Sequence, residues 1–113
     1  MTIEEKYICL HGDYEEAKNR LMNDRLVEKF ALKFLSDPSM QQLRDAIAAG
    51  DNPTAFRAVH TLKGVAANLA FTELRMAASE LTEQMRSCDK PADAELLRKV
   101  EDAYKLVIDT LQK

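Results

Sequence analysis

His60, Lys63 and Gly64 combine three properties that chemistry on an anionic group requires. An imidazole with an unprotonated ring nitrogen is a nucleophile, an ammonium one helical turn away can meet negatively charged oxygens, and a missing side chain leaves room for another molecule to come close. At about 100° per residue these three share one stripe of a helix with Phe56 and Ala67. The adjacent stripe is apolar: Ala55, Val59, Leu62, Ala66 and Leu69 follow one another at steps of four, three, four and three, the pattern of a helix buried against other helices. His60 is therefore expected to reach solvent from a helix whose neighbouring stripe holds a core. Gly64 costs such a helix roughly 0.5 to 1 kcal/mol relative to alanine, so its place on the exposed stripe favours close approach of a partner.

The elements that must hold this stripe are legible around it. Asn52-Pro53 marks the start of the histidine helix, a capping side chain followed by a proline whose fixed φ suits the first helical position. The helix is expected to run to about Leu69. Thr72 can cap the next one, which carries Leu74, Ala78, Leu81 and Met85 at spacings of four, three and four. So short a link implies an antiparallel hairpin, and counting back from it sets His60 opposite residues 80 to 84. The polar candidates for orienting the ring are Glu80, Glu83 and Gln84.

The rest of the chain reads as helix as well. Residues 2–10 form a short helix, Asp13 caps a second to about Leu21, and Asn23 or Asp24 starts a third with Leu26, Val27, Phe30, Phe34 and Leu35 as a wide apolar face. A segment from Pro38 to Ala49 carries Met40, Leu43 and Ile47 and stops at Gly50, and Asp89-Lys90-Pro91 opens a last helix striped by Leu97, Val100, Tyr104, Val107 or Ile108, and Leu111. The expected fold is all-α: an antiparallel up-and-down four-helix bundle with short N-terminal capping helices, one domain over 1–113 with its bundle core roughly at 23–112.

Composition narrows the function classes. The chain has 113 residues, 46% hydrophobic content, three glycines, three prolines and no tryptophan, which favours helix over sheet. A net charge of −3 with basic residues scattered among acidic ones argues against a nucleic-acid surface. No apolar run approaches the roughly 20 residues that span a bilayer, and the acidic, polar N-terminus differs from a secretory signal, so a cytosolic protein is expected. Cys9 and Cys88 read as free thiols, Cys9-Leu10-His11 holds too few ligands for a metal, and His11 reads as a surface or capping residue beside Gly12.

The run His60-Thr61-Leu62-Lys63-Gly64-Val65-Ala66-Ala67-Asn68-Leu69 resembles the signature of histidine phosphotransfer (HPt) domains. The resemblance extends to Gly12-Asp13-Tyr14, Leu26 to Phe30 with Phe34-Leu35, Gly50-Asp51, and Leu74 with Ala78 and Leu81, over roughly residues 12–112. The chain departs from the pattern at Ala70, where such domains usually carry glycine, and alanine resists the left-handed turn conformation by about 1 kcal/mol. The resemblance implies a phosphorelay intermediate: His60 accepts a phosphoryl group from a receiver-domain aspartyl phosphate and passes it to another receiver aspartate. It implies Lys63 as the phosphoryl-stabilising cation, Gly64 as the point of partner approach with Phe56 and Ala67 beside it, and Gln84, with Glu80 second, as the residue that orients the ring. The partners implied are response-regulator receiver domains and a hybrid histidine kinase, met by a monomer. No glycine-rich nucleotide loop, Walker motif or acidic magnesium cluster is present, so a carrier is expected in place of an enzyme, with no cofactor or metal of its own and the metal supplied by the receiver. Two alternatives are a helical adaptor that carries no phosphate and an excised phosphate-accepting domain of a larger histidine kinase. The initiating Met1 and the chain's end at its last helix favour a free-standing protein over the second.

Overall fold

A computed structural model describes residues 1–113. It contains seven α-helices and no strand: α1 (Ile3–Cys9), α2 (Tyr14–Leu21), α3 (Asp24–Lys33), α4 (Ser39–Ala48), α5 (Asn52–Asn68), α6 (Thr72–Gln84) and α7 (Ala94–Leu111), with a 3₁₀ turn at Phe34–Ser36. The all-α architecture expected from the sequence is the one observed. Helices α4, α5, α6 and α7 form the bundle. Three-residue links at 49–51 and 69–71 fold α4 on α5 and α5 on α6 as antiparallel hairpins. Arg44 closes the ring from α4 to α7, gripping Glu101 with two hydrogen bonds of 2.8 and 2.9 Å while lying 5.3 Å from the Tyr104 ring centroid.

Local chemistry sets the helix ends, and in three places it differs from the expectation. Asp51, not Asn52, caps α5: its backbone is non-helical and its carboxylate accepts from the Thr54 amide at 3.2 Å, so Asn52 is already in the helix and Pro53 follows it. Phe71 occupies the capping position of α6 without a side-chain bond, and the Thr72 hydroxyl instead donates to the Ala70 carbonyl at 3.4 Å. Helix α7 begins at Ala94 under the Asp93 cap, which accepts from the Leu96 amide at 3.0 Å; Pro91 remains in the connection. The apolar face of α3 is also narrower than its composition suggests. Val27, Ala31 and Phe34, at spacings of four and three, are buried, while Phe30 (36%) and Leu35 (37%) flank that line and stay exposed.

The buried core is one cluster running from Ile3 to Leu111, so it begins upstream of residue 23. Its N-terminal members come from a clamp on the far end of the histidine helix. The Tyr7 hydroxyl donates to the Leu69 carbonyl at 2.7 Å, the Asp13 amide to the Ala70 carbonyl at 2.9 Å, and the Arg20 guanidinium to the Ala67 carbonyl. These carbonyls belong to the last turn of α5 and the link after it, where intrahelical partners run out. Gly12 permits the fit, since a Cβ there would lie 2.8 Å from the Tyr7 ring and 2.9 Å from the Ala70 carbonyl oxygen. Burial pushes the Tyr7 phenol well above its ordinary pKa, which keeps it a donor. The molecule measures 41 Å along its longest axis, more than the roughly 27 Å of α7 alone, because α1 and α2 extend the bundle at this end.

Ala70 takes the left-handed conformation that glycine usually supplies, at φ 55°. The Phe71 amide donates to the Ala66 carbonyl at 2.9 Å and the Ala70 amide to the Ala67 carbonyl at 3.1 Å, the paired bonds of a Schellman turn. The turn forms despite the methyl group. Its neighbours over-determine it: Asp13 holds the Ala70 carbonyl, and Phe71 packs between Tyr7 at 5.5 Å and Phe34 at 5.4 Å between ring centroids.

Candidate functional site

Helix α5 runs for 17 residues and divides as its spacing predicts: Ala55, Val59, Leu62, Ala66 and the capping Leu69 are buried. On the adjacent stripe His60 and Gly64 are exposed, and Phe56, Lys63 and Ala67 are half-buried. A helix pinned along one side by five core residues presents the imidazole from a rigid base, which restricts it to side-chain rotation. No hydrogen bond in the structure engages either ring nitrogen. The ring leans on Phe56, one turn earlier, with centroids 5.9 Å apart and planes inclined by 50°.

Gly64 lies in open space. A Cβ built there meets nothing within 4 Å, so the glycine spares no helix contact inside the bundle. The space it leaves opens outward, beside His60. Ala67, a further turn along, is partly screened, because Arg20 of α2 reaches across to its carbonyl. A molecule approaching this stripe therefore meets α2 as well as α5.

The residues proposed to orient the ring lie elsewhere. Gln84 uses both ends of its amide on the connection to α7: Nε2 donates to the Pro91 carbonyl at 3.1 Å and Oε1 accepts from the Asp93 amide at 2.9 Å. It ties down the loop before α7, not the imidazole. Glu80 turns the same way, with its carboxylate 3.9 Å from Lys99 of α7. Counting along the hairpin gave the right height on α6 but not the rotation about its axis, where each residue adds about 100°.

Glu83 is the member of that trio that faces α5. Its carboxylate takes two hydrogen bonds from the Arg86 guanidinium, at 2.8 and 2.6 Å, and these hold its pKa below the usual carboxylate value; the charges of Lys63 and His60 act in the same direction. Arg86 in turn lies 5.8 Å from the Phe56 ring centroid. The structure thus gathers Phe56, His60 and Lys63 from α5 with Glu83 and Arg86 from the end of α6. Sequence reasoning missed Arg86, which sits just past the end of α6. The available signal was Phe56, placed one turn before the histidine where a cation from the next helix could cover it.

The other residues singled out stand apart from this cluster. His11 lies at the C-terminal end of α1 with Nε2 3.8 Å from the Glu73 carboxylate, and both side chains are exposed. Cys9 and Cys88 are free thiols, Cys9 exposed and Cys88 half-buried. No helix is long and apolar enough to cross a membrane.

Comparison with known proteins places this geometry. No curated protein and no solved structure matches the chain. The family model described as Hpt domain matches residues 35–112, which contain α4 to α7 and every residue of the cluster around His60. The match covers more than half of the chain, so this protein belongs to the Hpt domain family, whose role is phosphotransfer in two-component signalling.

Proposed function

We propose that this protein is a phosphoryl carrier in which His60 takes a phosphoryl group from the aspartyl phosphate of one receiver domain and gives it to the aspartate of another. The observation that carries the reading is an exposed histidine on a helix buried along its adjacent stripe, with Lys63 one turn away and open space over Gly64. The unprotonated ring nitrogen donates its lone pair to phosphorus, the bond from phosphorus to the acyl oxygen breaks, and the aspartate leaves as a carboxylate. The ring keeps its other N–H. Transfer onward is the reverse, with a receiver carboxylate as nucleophile. Phosphoryl transfer depends on positioning and charge stabilisation, and the receiver brings the metal for it. This chain supplies a nucleophile fixed on a rigid helix, the Lys63 ammonium for the phosphoryl oxygens, and a surface that lets the partner's site close over the ring.

The adaptor reading makes the opposite demand on Lys63. For a carrier, Lys63→Ala slows transfer or shortens the life of the phosphorylated form, while affinity for an unphosphorylated receiver changes little, since one surface lysine contributes at most about 1 kcal/mol to such a contact. The check is transfer kinetics and affinity measured on the same variant. Affinity lost in step with transfer makes Lys63 a docking residue and favours the adaptor.

Gly64 tests the surface instead of the chemistry. Gly64→Gln replaces the poorest helix former but proline with a good one and adds a side chain where nothing stands in its way, so stability holds or rises by about 0.5 to 1 kcal/mol. Transfer slows, because the new side chain fills the partner's approach. Thermal melts paired with transfer assays read both effects, and unchanged transfer removes Gly64 from the interface.

A further inference from the structure

Arg86 grips the Glu83 carboxylate with two hydrogen bonds, and its guanidinium lies over the Phe56 ring, which packs against His60; the charges of Lys63 and His60 also favour the ionised carboxylate. The Arg86 fork suits a phosphoryl group as well as a carboxylate, because both offer two oxygens at matching spacing. Arg86 is also not committed to Glu83 alone, since its guanidinium sits over the Phe56 ring, which itself touches His60.

The geometry points to Glu83 as a resident counter-anion that holds Arg86 beside His60 and surrenders it to the phosphoryl group once that group is in place. This inference rests on the carrier reading above and adds two roles to it. Arg86 is a second phosphoryl-binding cation besides Lys63, and Glu83 is a positioning residue that acts through Arg86. A phosphoryl group on the ring carries close to two negative charges against the one of Glu83, so it both repels the carboxylate and outcompetes it for the guanidinium. The exchange is easy because the Glu83–Arg86 pair is exposed, between residues three apart on one segment, and pairs of that kind are weak. Phe56 keeps the guanidinium at the site during the exchange. The unphosphorylated protein thereby avoids a bare cluster of cations, and the phosphorylated one gains a ligand without rearranging its backbone.

Phosphoramidate is a suitable probe because it loads histidine without a receiver. The unprotonated imidazole nitrogen attacks phosphorus, the phosphorus–nitrogen bond of phosphoramidate breaks, and ammonia leaves. A His11→Gln background confines loading to His60, and phosphorus NMR then follows the second ionisation of the bound phosphoryl group with pH. Arg86→Ala is expected to raise that pKa by about one pH unit and to shorten the half-life of the phosphorylated form several-fold, while Arg86→Lys recovers part of each. Glu83→Gln, which removes the competing anion, is expected to lower the phosphoryl pKa and lengthen the half-life. Circular dichroism confirms that each variant is folded, and Glu83→Gln keeps the test open should Arg86→Ala lose structure. Loading at His60 with a phosphoryl pKa indifferent to both Arg86 and Glu83 overturns the inference and leaves the carrier reading standing. Failure of His60 to load from phosphoramidate or from a phosphorylated receiver overturns both.

Discussion

His60→Gln is expected to abolish phosphorylation outright while the helical content and melting temperature stay within error of the parent protein. The imidazole is exposed, makes no hydrogen bond, and stands off the line of Ala55, Val59, Leu62, Ala66 and Leu69 that anchors α5, so its replacement by another polar side chain removes one ring contact with Phe56 and nothing from the core. Glutamine keeps the size and hydrogen-bonding capacity but has no nucleophilic nitrogen. The measurement is incubation with a phosphorylated receiver, with circular dichroism on the same sample. Phosphoryl groups appearing on the variant would place the acceptor elsewhere, and His11 is the only other histidine.

The largest effect on stability is expected at Tyr7, outside the stretch that matches the family model. Its ring is fully buried, stacked edge-on with Tyr14 and tilted against Phe71 at 5.5 Å in each case, and its hydroxyl satisfies the Leu69 carbonyl at the end of the histidine helix. Tyr7→Ala opens a cavity in the core and is expected to cost about 3 to 5 kcal/mol, a fall in Tm of about 15 °C. Tyr7→Phe isolates the hydrogen bond: the packing survives, the Leu69 carbonyl is left without its donor, and the cost is about 1 to 2 kcal/mol. Thermal and urea unfolding of the two variants separate packing from hydrogen bonding. A negligible loss for Tyr7→Ala would mean that α1 and α2 are dispensable to the bundle.

The parts of the fold that the sequence reveals are those governed by periodicity. Every residue of the 4-3-4-3 line on α5 is buried, with Ala58 buried beside it, and His60 and Gly64 lie outside, because 100° per residue is a property of the helix alone. Leu74, Ala78 and Leu81 of α6 and Met85 at its C-terminal cap, at spacings of four, three and four, are all fully buried for the same reason. Helix starts were less legible where two capping residues stand side by side. Asp51 and Asn52 are both good caps, and which one serves depends on where Gly50, at φ 68°, delivers the chain after α4. Pro91 looked like a helix start but is held in the loop by Gln84, a tertiary contact that no local pattern signals. The site itself was legible along α5 and illegible across to α6. Glu80, Glu83 and Gln84 are near in sequence and point to different neighbours, and only the packing of α6 against both α5 and α7 decides which of them meets His60.

The clamp at the end of α5 also bears on the order in which the molecule assembles. The hairpins of α4 with α5 and α5 with α6 join residues close in sequence, and such contacts form early because little chain entropy is lost in closing them. The Tyr7 bond to Leu69 spans 62 residues, and the bond from Lys6 to the Leu111 carbonyl at 3.3 Å spans 105. Contacts this distant belong late on the folding path, after the bundle has brought their partners together. Substitutions at Tyr7 should then leave the folding rate almost unchanged and appear nearly in full as faster unfolding. On that account the N-terminal helices serve less to build the phosphotransfer bundle than to slow its loss, so that the lifetime of the folded state is set by a segment that touches the histidine helix only at its far end.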